Sequence, residues 1–169
     1  MFKWLFGGKN QPAAAEGTRE LLVLTRTVNA PAERAFAVFV DEFQSWWPRA
    51  DTFSGDALAT IAIEPRIGGH AIETNKAGGR IVWGTVLAIS RPSHIVLAWQ
   101  IGPNRVAIDD EASASRLDVR FVEDAGKTKV VLVHRDFPRH GDGWEAYKTQ
   151  MATKGWPRLM ELYVKAVDG

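Results

Sequence analysis

Trp156-Pro157-Arg158-Leu159-Met160-Glu161-Leu162-Tyr163-Val164-Lys165-Ala166-Val167 is the stretch on which the fold turns. Trp156, Leu159, Met160, Tyr163, Val164 and Val167 recur at i, i+3, i+4, i+7, i+8 and i+11, which is one face of an α-helix. Arg158, Glu161 and Lys165 take the opposite side. Proline is acceptable in a first helical turn, so Pro157 marks a start rather than a break. Just upstream, Trp144, Tyr147 and Met151 fall at i, i+3 and i+7, and Gly155 interrupts the run. Most of a helix's stability in a protein comes from packing its apolar face, so this helix needs a partner surface.

Residues 56 to 136 supply one. Their apolar residues recur with period two: Ala57, Ala59, Ile61 and Ile63; Ile81, Trp83, Thr85, Leu87 and Ile89; Ile95, Leu97, Trp99 and Ile101; Leu117, Val119 and Phe121. Turn chemistry separates the runs at Gly68-Gly69, Gly78-Gly79, Ser90 to Ser93, Gly102-Pro103-Asn104 and Asp124-Ala125-Gly126. The pattern predicts about six consecutive antiparallel strands with one buried face. Val130 to Val133 is apolar throughout, so its facing stays open. Ahead of the meander, Glu20 to Val28 reads as a first strand. Pro31, Glu33 and the spacing of Phe36, Phe39, Val40 and Phe43 then predict a helix that ends near Trp46-Trp47-Pro48. The sum is an α+β domain: a curved sheet of six to seven strands around a long C-terminal helix, with short helices after the first strand. Residues 1–18, with Gly7-Gly8 and an Ala/Gln/Pro/Gly stretch behind Phe2, Trp4, Leu5 and Phe6, read as a tail, and 19–169 as the domain.

Composition narrows the function. A net charge of +1 argues against nucleic acid as a partner. No apolar run approaches the ~20 residues that span a bilayer, so stable membrane insertion is not expected. The absence of cysteine excludes disulfides and thiolate chemistry and fits a cytoplasmic location. No phosphate-loop or dinucleotide signature points to a cofactor. The four histidines, at 70, 94, 134 and 140, lack metal-ligand spacing.

Seven tryptophans are many for a domain of this size. Each aromatic side chain buries roughly 150–250 Å², and wide rings suit a rigid wall. Plain core packing accounts for most of them. As a ligand wall, Trp47, Trp83 and Trp99 come from separate segments, and Phe39, Phe43, Tyr147, Trp156, Met160 and Tyr163 complete it. Two polar residues join as weak catalytic candidates. His134 shares parity with Val130 and Leu132, and Glu73 follows a double glycine. In an apolar cavity they would orient a ligand or exchange protons. The plainer alternative makes His134 a satisfied core histidine and pairs Glu73 with a basic residue. Asp109-Asp110-Glu111 reads as a solvated tip.

The chain resembles the START-like, or SRPBCC, superfamily, and within it the bacterial homologues of the activator of a heat-shock chaperone's ATPase. The resemblance rests on Val28 to Glu33, Trp46-Trp47, Ile67-Gly68-Gly69, Trp83-Gly84 with Val86, Pro92 and Ile95 leading to Ala98-Trp99, His134-Arg135-Asp136-Phe137, and Gly155-Trp156-Pro157 with Leu159. It implies a helix-grip fold with an internal cavity. Relatives bind lipids, sterols, polyketides or plant hormones, and some are cyclases or aromatases. Chaperone activation belongs to a larger relative with an additional N-terminal domain, and is not carried over. The expectation is a binding module for a small hydrophobic or aromatic molecule. Its rivals are a cyclase- or hydrolase-like enzyme using His134 and Glu73, and a chaperone-associated interaction module. A homodimer stays open.

Overall fold

The computed structural model describes residues 20–169. The tail read at 1–18, with its four aromatic and aliphatic residues, lies outside the described residues. The chain runs β1 (Leu22–Val28), α1 (Ala32–Val40), three short 3-10 turns, β2 (Leu58–Ile63), β3 (His70–Asn75), β4 (Arg80–Ser90), β5 (His94–Trp99), β6 (Ser115–Asp124), β7 (Lys127–Arg135), α2 (Trp144–Gln150), a π-helical turn (Met151–Gly155) and α3 (Trp156–Asp168).

All seven strands form one antiparallel sheet in the order β1-β7-β6-β5-β4-β3-β2. β1 and β2 are consecutive in sequence yet occupy opposite edges. The link between them carries α1 and the 3-10 turns across the sheet's inner face, where α1 packs on α3, β6 and β7. Tyr163 of α3 donates its hydroxyl to the Ala35 carbonyl of α1 at 2.7 Å, buried. Glu123 of β6 accepts from the Ala32 N–H at 2.6 Å, placing a carboxylate at the start of α1. Pro31 stands one residue ahead of the helix rather than in its first position.

The period-two reading holds on β5 and β6, where Ile95, Leu97, Trp99, Leu117, Val119 and Phe121 face the core. On β7, Val130, Leu132 and His134 all point inward, which resolves the open facing. It fails on β2 and β4. A register shift between Leu58 and Thr60 leaves Ala59 exposed while Leu58, Ile61 and Ile63 are buried. The β4 pairings shift twice, opposite Ala71/Ile72 and between Val86 and Ala88. Trp83 and Val86 therefore enter the core together, and Thr85 and Leu87 do not. A bulge inserts a residue and bends its strand, so these shifts help curl the sheet around the helix. Gly84 lies at a close approach between β4 and β5: a Cβ there would meet the Ala98 carbonyl oxygen at 2.9 Å.

The C-terminal helix is continuous from Trp144 to Asp168, and Gly155 does not break it. The helix widens instead, with the Trp156 N–H reaching back to the Met151 carbonyl. Trp156, Leu159, Met160 and Tyr163 are buried against the sheet, as their spacing predicts.

Candidate functional site

A cavity of about 380 Å³ opens where the exit of β5 meets the π turn. Its inner wall is aromatic, formed by Trp47, Trp99 and Tyr147 with Leu159 and Met151. It is also lined by the charged residues Asp51, Arg105, Lys154 and Arg158, which form its rim. Trp99 sits at the end of β5 and donates its indole N–H to the Tyr147 hydroxyl at 2.9 Å. Tyr147 in turn donates to the Ile101 carbonyl at 2.6 Å. One phenol thus ties α2 to the segment leaving β5. Burial pushes its pKa upward, so it remains an un-ionised donor.

The rim is fixed by an ion triad. The Asp51 carboxylate accepts from Arg105 Nη2 at 2.9 Å on one oxygen and from Arg158 Nη2 at 2.7 Å on the other. Arg105 also donates to the Ala50 carbonyl at 2.7 Å. Asn104 and Arg105 both lie in the left-handed region, at φ 61° and 57°. Successive non-glycine residues rarely adopt that conformation and keep it only where the surroundings enforce it.

Of the ten ligand-binding residues expected from sequence (the nine of the wall and His134), Trp47, Trp99 and Tyr147 reach this cavity. Phe39, Phe43, Trp83, His134, Trp156, Met160 and Tyr163 are buried behind it. The rings there touch in series. Trp83 stacks on Phe43 at 5.0 Å between centroids, Phe43 on Trp47 at 4.9 Å, and Phe39 meets Tyr163 edge-on at 5.2 Å. Trp46, quoted only as part of a pair in the sequence, belongs to the same cluster. The indole N–H groups of Trp46 and Trp83 are buried with no acceptor among the described residues.

Neither polar candidate lines the cavity. Glu73 is buried, and its carboxylate accepts from the Phe53 N–H at 3.1 Å, the Ser54 N–H at 2.6 Å and the Ser54 hydroxyl at 2.7 Å. It anchors a loop, where a basic partner was the plainer expectation. His134 is fully buried, and burial, with His140 nearby, holds its imidazole well below the usual pKa and so neutral. The Trp156 indole N–H donates to His134 Nδ1 at 3.0 Å. An indole nitrogen only donates, so the imidazole proton sits on Nε2. From there it goes to Ser115 Oγ at 2.7 Å, and Ser115 Oγ donates to His140 Nε2 at 2.7 Å. Three strands, β4, β5 and β6, stand between Glu73 and His134.

Sequence reasoning missed Asp51, Arg105, Lys154 and Arg158. Charges on an amphipathic helix or in a turn carry the same signal whether they face bulk water or a cleft. The one available hint was the pair of mouth segments themselves, a Gly-Pro-Asn turn and a glycine inside a helix.

Among the described residues, no group of three or more His, Asp or Glu side chains is arranged to hold a metal. No described helix is long and apolar enough to cross a membrane.

A bent antiparallel sheet gripping a C-terminal helix, with an aromatic cavity at one end of that helix, defines a START-like protein of the SRPBCC type. The chain belongs to the family of activator of Hsp90 ATPase homolog 1-like proteins, whose model matches residues 29–167. No curated protein matches it. Among solved structures it is similar to Txn09, an anthrahydroquino-gama-pyrone synthase complexed with SUM. That pair shares 28% identity, covers 87% of this chain and 96% of the other, and has a TM-score of 0.62. CalC, a self-sacrificing resistance protein from Micromonospora echinospora, is 23% identical over 88% of this chain and 95% of its own, at a TM-score of 0.62. Protein NE0264 from Nitrosomonas europaea is 12% identical over 89% and 95%, at 0.63. The last two show the fold alone.

Proposed function

We propose that the chain is a binding module for a small aromatic or hydrophobic molecule, taken up in the cavity walled by Trp47, Trp99 and Tyr147. The observation that carries this reading is the cavity of about 380 Å³, in which the rings of Trp47, Trp99 and Tyr147 share the lining with a small set of polar and charged side chains. Binding sites for small molecules are mostly apolar, with few polar groups to fix orientation. The fold's place among SRPBCC proteins supports it.

An enzymatic reading draws support from the similarity to Txn09, a synthase. Acid–base groups for it would come from the rim and from Tyr147, since His134 and Glu73 do not line the cavity.

Native mass spectrometry of the purified protein and titration with the neutral fluorophore N-phenylnaphthylamine test the binding reading. Met151→Trp places an indole in the mouth and is expected to abolish dye binding with the fold intact. A protein that carries no small molecule and binds no aromatic dye would overturn it.

A further inference from the structure

We propose that the cavity selects aromatic ligands bearing an anionic group, a carboxylate, sulfonate or phenolate, and that Arg158, Lys154 and Arg105 recognise that group at the rim. This rests on the binding reading above and names the ligand class for the same cavity.

The charge at the rim is out of proportion to the chain. Four ionisable residues of fixed sign line the cavity, Asp51, Arg105, Lys154 and Arg158. They sum to +2, whereas the whole protein carries +1. Asp51 gives one carboxylate oxygen to each guanidinium. It thereby holds Arg105 and Arg158 side by side and leaves most of their N–H donors unused, since each guanidinium offers five. Lys154 has no ion-pair partner among the described residues. An anion entering there meets donors already in place, beside a low-dielectric aromatic wall that strengthens the attraction.

The backbone is built to hold that arrangement. The left-handed pair Asn104 and Arg105 turns the Arg105 side chain onto Asp51 and the Ala50 carbonyl. The π turn brings Lys154 to the rim within a turn of Arg158. Irregular backbone of both kinds gathers at ligand-binding sites. A mouth that only closed off a core would need neither feature.

The test compares anilinonaphthalenesulfonate with N-phenylnaphthylamine, two dyes of the same ring skeleton with and without the anionic group. At low salt the sulfonate is expected to bind about tenfold tighter or more, through charge-assisted contacts at the rim. Raising the salt should erase the difference, because the rim groups are half exposed. The double variant Lys154→Gln with Arg158→Gln should lose the preference, read as the ratio of the two dyes' dissociation constants in that same variant, and Arg158→Lys should keep part of it. The salt titration on the unaltered protein decides the matter even where a variant folds poorly. If the two dyes bind alike, or the preference survives the double variant, the anionic inference fails and the cavity stands. If neither dye binds, both fail.

Discussion

The Trp156 indole N–H and His134 Nδ1 lie 3.0 Å apart, and this bond sets the direction of each one behind it. His134 is left with its proton on Nε2, Ser115 must accept that proton's bond and donate onward, and His140 Nε2 must accept. The relay ends at His140 Nδ1, buried and without an acceptor among the described residues. Every link needs both imidazoles neutral.

Acid should therefore weaken the protein. Burial depresses the His134 pKa in the folded state, and that of His140 to a lesser degree, from the ordinary 6.5. The unfolded chain takes up protons that the folded chain refuses, so the stabilisation is complete above pH 6.5 and declines as pH falls below it. Each refused proton contributes a slope of at most about 1.4 kcal/mol per pH unit. Urea unfolding between pH 8 and pH 5 checks this, and His134→Gln should flatten the slope. A stability constant down to pH 5 would contradict it.

Ser115→Ala removes the middle of the relay. It strands the His134 Nε2–H in a fully buried site, and the expected cost is about 1–3 kcal/mol. His140 keeps only a long contact from the Ser115 N–H at 3.3 Å. Chemical denaturation measures the loss.

Glu73→Gln tests the anchor role directly. The amide keeps one acceptor oxygen but loses the charge that holds two backbone N–H groups and a hydroxyl, so about 1.5–3 kcal/mol is at stake. Hydrogen exchange at Phe53 and Ser54 should accelerate selectively. An unchanged exchange pattern with altered ligand chemistry would instead favour a catalytic carboxylate.

Gly84→Ala is expected to destabilise by about 1–3 kcal/mol through overpacking. The new methyl would meet backbone at Ala98 and the Ala71 Cβ at 3.1 Å, and neither can swing aside as a long side chain would. A melting temperature unchanged from the parent would refute the close approach.

The sheet and the gripping helix were legible because burial leaves a period: Leu117, Val119 and Phe121 on β6, and Trp156, Leu159, Met160 and Tyr163 on α3. β4 was misread because a bulge moves Val86 inward without altering composition. The convergence of the aromatic residues was visible too. Whether rings line a space or fill it depends on their volumes and side-chain angles, and those place seven of the ten expected residues behind the cavity wall. The charged rim was invisible, since Asp51, Arg105 and Arg158 meet only through tertiary structure, with Asp51 and Arg158 distant in sequence.

The π turn has a geometric corollary. An α-helix advances about 100° per residue, and a turn closed over five residues instead of four contains one residue more than regular winding needs. Deleting a single residue between Met151 and Gly155 would let the segment rewind as plain α-helix. Trp144–Gln150 would keep its present face, because the bulge absorbs its additional residue without turning the segments that flank it. Tyr147 would still reach Trp99 and Ile101, while the wall of the opening formed by Met151 to Gly155 would contract. The width of the entrance is thus encoded by the residue count of one helical turn as much as by residue type.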